Sequence, residues 1–181
     1  MSALRLINET TASSVASVEI TDVFSADFDI YKITFNNLVQ ATSTATFSYL
    51  RFLNSSGSEI SSASYDYALL VTRAGSAFQE SRATNQTTLW HSIYNCVNES
   101  DFGGATMYIF NPYSNSSYTF IINQSFFRYN GTSGGTIGNE GYKQISVLKT
   151  TDRIEGIKFY NNTGNFANFG CNIYGLRVDN G

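Results

Sequence analysis

The chain has 181 residues, a formal net charge of -3, 42% hydrophobic residues and only 14% charged ones. That length and apolar content suit one folded domain and exclude a disordered chain, and the scattered Lys and Arg leave no basic stripe to neutralise a nucleic-acid backbone. No window approaches the roughly 18 uninterrupted apolar residues of a membrane-crossing helix, and the opening MSALRLINETTASS lacks the apolar core of a signal peptide, so no membrane partner and a product made in the cytosol are expected.

After a polar lead-in over residues 1–14, VASVEI (15–20) is the first predicted strand. DIYKITF (29–35) follows, with Tyr31, Ile33 and Phe35 alternating against Lys32 and Thr34, the pattern of a strand with one dry and one wet face. NNLVQATS reads as a loop, and TATFSYLRFL (44–53) as the next strand. NSSGSEISSAS (54–64) is a polar turn with Gly57 placed for positive φ, and YDYALLVT (65–72) alternates again. RAGSAFQESRATNQT (73–87) has Phe78 as its sole large apolar residue, which predicts a long loop or a single turn. Strand character returns at TLWHSIYN (88–95). ATMYIFN (105–111) and SYTFIIN (117–123) flank NPYSNS as a hairpin, and QSFFRYN (124–130) continues or bends away. NGTSGGTIGNEG (130–141) is a glycine-rich loop, and YKQISVLKT (142–150), RIEGIKFYN (153–161) and CNIYGLRV (171–178) complete the set. Many short alternating strands between polar turns predict an all-β fold, an antiparallel β-sandwich of jelly-roll type, as a single domain over 1–181.

Groups fit for bond-making are sparse. His91 is the only histidine, follows Trp90 directly, and has no nucleophile elbow near it. Cys96 and Cys171, far apart in a cytosolic product, read as two buried thiols rather than a disulfide, and with one His they make no zinc set. Asp22, Asp27 and Asp29 are the place where calcium could find oxygen ligands, but the spacing fits ordinary turn acids better. Glu140, Asp152 and Glu155 could furnish a glycosidase pair only if the fold brought two of them across a cleft. NGTSGGTIG lacks the phosphate-loop Lys and precedes a strand, not a helix. No enzyme, no metal and no cofactor is expected.

Aromatic residues are the anomaly, at 15% of the chain with 12 Tyr and 14 Phe. In YDYALLV, SYTFIIN and SFFRYN the rings fill one face and spill onto the other. A core takes most of them, and the remainder are surface for sugars or protein partners. Trp90, Tyr94, Tyr113 and Tyr129 are the candidate contact residues.

The opening LRLINETTASSVASVEITDVFSADFDIYKITFNNL resembles the start of a group of structural proteins from tailed phages, many of them marine. YLRFLNSSGSEI (49–60) is similar to a strand and turn of that group, and RIEGIKFYNNTGNF leading to GCNIYGL (170–176) resembles its closing segment. The resemblance covers most of the chain, is weakest over residues 73–115, and carries no catalytic residues. It implies a virion component with a β-sandwich fold: a capsid decoration or cement protein, or a tail-appendage subunit. Such a protein is assembled in the host cytoplasm as an oligomer and binds other virion proteins. The alternative is a carbohydrate-binding adhesin module of a tail fibre, reading a host surface glycan through Trp90 with Tyr94.

Overall fold

The computed structural model describes residues 3–41, 47–74, 77–94, 96–97, 103–130 and 137–177, with backbone alone at 3, 91–94, 96–97, 128–130 and 137–138. Thirteen strands run through them: β1 (Ala3–Val15), β2 (Ser17–Ile20), β3 (Ile30–Gln40), β4 (Phe47–Asn54), β5 (Tyr65–Arg73), β6 (Gln79–Gln86), β7 (Leu89–Tyr94), β8 (Cys96–Val97), β9 (Gly103–Phe110), β10 (Thr119–Asn130), β11 (Ile137–Leu148), β12 (Ile154–Asn161) and β13 (Phe166–Arg177). They form a large sheet in the order β1-β13-β3-β9-β10-β11-β5-β6, with β8 beside β3, and a small sheet β2-β12-β4-β7. Among the described residues every strand pairing is antiparallel except β3 with β8.

The pairings are nested. β1 pairs β13, β2 pairs β12, β3 pairs β9 and β4 pairs β7, so the chain is a two-stranded ribbon folded back on itself. Rolling that ribbon so that successive pairs fall in alternate sheets produces the jelly roll. The strands outside this scheme, β5, β6, β10 and β11, continue the large sheet beyond β9 as β10-β11-β5-β6.

Alternation explains the core. Tyr31, Ile33 and Phe35 of β3, with Met107 and Ile109 of β9, point inward toward Leu50 and Phe52 of β4 and Ile157 and Phe159 of β12. Phe35 meets Phe159 edge-on across the sheets at 5.2 Å, and Phe24 meets Tyr31 at 4.8 Å. Each such side chain contributes roughly 1.5–3 kcal/mol through burial. Two buried tyrosines pin loops to this core. The Tyr31 hydroxyl accepts from the Ser25 N–H at 2.7 Å and donates to the Ser25 carbonyl at 3.0 Å. Tyr65 does the same for the β4–β5 connection.

Four sequence expectations are corrected here, the first being the glycine-rich loop over 130–141: β11 begins at Ile137 and pairs β10 from there, while residues 131–136 lie outside the described residues. The lead-in is β1, a long polar strand along the edge of the large sheet. The NNLVQ loop belongs to β3: Asn37, at φ 53°, opens a bulge between Phe35 and Leu38, after which Leu38, Val39 and Gln40 are buried. Most of the 73–87 stretch is β6, a strand with no buried residue that pairs β5 at the other edge of the sheet. QSFFRYN simply continues β10, without a break in register against β11. Cys171 is a buried free thiol, and the side chain of Cys96 lies outside the described residues.

Candidate functional site

The four aromatic candidates do not gather. Trp90 stands on the outer face of the small sheet, 39% exposed, with its ring 5.7 Å from that of Tyr49. Tyr113 is half-buried in the β9–β10 turn, where the Arg153 guanidinium lies 4.6 Å from its ring centre. Tyr94 and Tyr129 fall on β7 and β10, and their side chains, like that of His91, lie outside the described residues. Among the described residues no three His, Cys, Asp or Glu stand close enough to hold a metal ion, so Asp22, Asp27 and Asp29 do not converge. Glu140 is buried in an ion pair with Arg73, while Asp152 is exposed in the β11–β12 connection and Glu155 lies on β12.

The feature that sequence reasoning placed only loosely is the outer face of the inserted strands. Along β10, Ile121, Asn123, Ser125 and Phe127 point inward, and Phe120, Ile122, Gln124 and Phe126 point out. Register then lines up the outward residues across neighbours. Phe120 stands between Phe110 of β9 and Val147 of β11, and Ile122 between Tyr108 and Ile145, with Ala68 of β5 next in line. The result is a groove of about 540 Å³ floored by Phe110, Phe120, Ile122, Ile145, Val147 and Ala68. Ile145 is 61% exposed and Phe126 63%.

Phe126 has glycine on both sides. Gly104 and Gly141 are its register partners, and a Cβ at Gly104 would come within 2.8 Å of the Phe126 ring. The ring thus lies over the bare backbone of Gly104. Charges sit at the rim of the groove. Asp66 is bound by Lys149 at 2.9 Å and by the Asn85 N–H at 2.7 Å. Burial opposes its charge, but these two contacts outweigh that and hold its carboxyl below the usual range. Arg82 of β6 lines the same rim.

The sequence did carry a signal for this face: the doublets Ile121-Ile122 and Phe126-Phe127. Neighbours in a strand point to opposite sides, so each doublet commits one large apolar side chain to the outer face. The candidate contact residues are Tyr and Trp, whereas the exposed large side chains on the outer face of β10 and β11 are Phe120, Ile122, Phe126 and Ile145.

No family model and no curated protein matches the chain. Among solved structures, the CBM2 module of the evolved Dit of Lactobacillus casei BL23 phage J-1 is similar at 11% identity, covering 93% of this chain and 75% of that one, with a TM-score of 0.19. An overlap that small carries neither fold nor function across.

Proposed function

We propose that the chain is a structural subunit of a phage virion, a capsid decoration or tail-appendage protein that assembles without covalent change by covering the outer face of β10, β11 and β5. The virion assignment rests on the resemblance of its opening and closing segments to phage structural proteins. The assembly mode rests on one observation: β10 keeps Phe120, Ile122 and Phe126 outside while Asn123 and Ser125 are buried. A contiguous apolar surface of this kind marks an interaction site on a folded protein. Burying it against other virion proteins or copies of the chain returns the hydrophobic stabilisation that the isolated subunit forgoes. Many copies on a symmetric particle make a modest contact effective.

The test is sedimentation velocity of the purified chain and of Ile122→Lys/Ile145→Lys, together with incorporation of each into particles. Wild type self-associates or joins the particle, and the double variant does neither while keeping its fold by circular dichroism. A wild-type chain that stays monomeric at high concentration and is missing from purified particles overturns the reading.

A further inference from the structure

The outer face of the small sheet has a different chemistry. At one register level Tyr160 of β12 stands beside Tyr49 of β4, and at the next Lys158 stands between Glu19 of β2 and Arg51 of β4. The Tyr49 ring lies 5.3 Å from Tyr160 and 5.7 Å from Trp90 of β7, so three rings cross the sheet in a row. The charged row beside them is tied together. Glu59 accepts from Arg51 at 2.7 Å and from Lys158 at 2.6 Å, and Lys158 also reaches Glu19 at 2.6 Å. The Arg51 guanidinium sits 5.4 Å from the Tyr160 ring centre, and its Nε donates to the Thr87 carbonyl at 3.0 Å. A cleft of about 480 Å³, within the usual size of small-ligand sites, opens over Tyr160, Arg51, Glu59 and Lys158, closed on one side by the β12–β13 turn.

We infer that this cleft and its aromatic row bind an uncharged saccharide. Arg51, Lys158 and Glu59 line the cleft, and Glu19 beside it pairs with Lys158, so the four charges cancel and leave no net charge to offer a phosphate or a sulfate. What it offers is planar donors and acceptors held in fixed positions, which suit hydroxyl edges, beside ring surface, which suits the apolar C–H face of a pyranose. A purely apolar partner would leave these polar groups desolvated and unpaired, so the occupant must be amphipathic and neutral. Fold stability does not account for the row. Ion pairs that solvent still reaches add little, and Trp90 follows a buried Leu89 but is itself outward and 39% exposed. The inference is independent of assembly, because this face and the groove over β10, β11 and β5 lie on opposite outer surfaces of the sandwich.

Trp90 is the only tryptophan of the chain and stands at the far end of the ring row, beside the cleft rather than in it, so its fluorescence reports a saccharide that extends along the row. The full chain is screened on an array of neutral oligosaccharides (glucose, galactose, mannose and N-acetylhexosamine oligomers), and hits are titrated by Trp90 emission. Saturable binding with a shift in emission is expected, weakened about tenfold or more in Tyr49→Ala, as the loss of one stacked ring implies. Arg51→Ala should weaken it too, and Ile122→Lys/Ile145→Lys should leave it unchanged. Should Tyr49→Ala not fold, Tyr160→Phe and Glu59→Gln probe the same row, with the Glu59 variant expected to lose affinity. No binding to any neutral glycan by the folded wild type overturns the inference. So does binding that survives both Tyr49→Ala and Arg51→Ala. Loss of sugar binding in the Ile122/Ile145 variant would place the site on the wrong sheet.

Discussion

Replacing Tyr65 with Phe removes one oxygen atom and should destabilise the fold far more than that suggests. Tyr65 is fully buried at the start of β5. Its hydroxyl donates to the Ile60 carbonyl at 2.9 Å and accepts from the Phe52 N–H at 3.1 Å. The Ile60 N–H in turn donates to the Phe52 carbonyl at 2.9 Å, so residues 58–60 lie against β4 with Tyr65 as the clasp. Burial raises the phenol well above its ordinary value, so it remains a neutral hydroxyl throughout the working pH range. Tyr65→Phe leaves a donor and an acceptor without their partner in a region closed to water. Each orphaned group costs about 1–3 kcal/mol. Since Ile60 can relax toward the surface more easily than Phe52, we expect a net loss of about 2–4 kcal/mol, a large part of the roughly 5–15 kcal/mol that holds a domain together. Urea unfolding measures it as a lowered midpoint at unchanged slope. The control is Tyr160→Phe, whose hydroxyl bonds the Thr88 hydroxyl at 3.0 Å in a part-exposed setting where water can substitute; its loss should stay under about 1 kcal/mol. Equal effects of the two variants, or a Tyr65→Phe loss below about 0.5 kcal/mol, would refute the clasp.

Three further outcomes follow from single residues. Gly156→Ala places a Cβ 2.7 Å from the Ile20 carbonyl oxygen at the β12 bulge, and because the obstacle is backbone the strands must separate; thermal unfolding should show a loss of about 1–3 kcal/mol. Burial pushes the Cys171 thiol up to about 12, so in a Cys96→Ser background the folded chain should ignore a thiol reagent at pH 8 and react fully once unfolded. Because that value is raised over the ordinary 9.0, the thiol's contribution to stability is complete below pH 9.0 and fades as pH climbs toward 12. Rapid labelling of the native state would contradict this. The hydrogen bonds from Lys158 and Arg51 hold Glu59 below its ordinary 4.5, so its contribution is present above that pH and is lost as pH falls through the lowered folded-state value. Stability measured from pH 7 to 2 should therefore fall less steeply in Glu59→Gln than in wild type.

The sandwich was legible because its core strands alternate cleanly, as at Tyr31-Ile33-Phe35 and Tyr65-Tyr67-Leu69-Val71, all buried as the pattern requires. What escaped has physical reasons. β6 and β1 are edge strands with little or nothing to bury, so hydrophobic periodicity gives them no signature, and their place is set by hydrogen bonds to β5 and β13. The bulge at Asn37 shifts the phase of β3 and turns a strand end into an apparent loop. Trp90 was legible as an outward ring, but its neighbours Tyr49 and Tyr160 come from strands about 40 and 70 residues away, and only the nested pairing brings them together.

A strand slipped by one residue exchanges its faces, and in β10 that exchange would bury Phe120, Ile122, Gln124 and Phe126 in place of Ile121, Asn123, Ser125 and Phe127. Judged by its own side chains, the present phase buries two large apolar and two polar residues, where the other would bury three large apolar and one polar. The phase is held instead by the neighbours. Met107 and Ile109 on β9 and Tyr142 and Leu148 on β11 must face inward, and uninterrupted pairing on both sides then dictates where β10 points. Hence Asn123 and Ser125 enter the sandwich close to Gln144, whose amide donates to the Trp90 carbonyl at 3.1 Å and braces the inserted strands against the small sheet. A lone subunit gains nothing from rings kept outside under that constraint. Under the proposed assembly the same strands gain on both faces, because a neighbour seated on them would complete the burial of the outer residues.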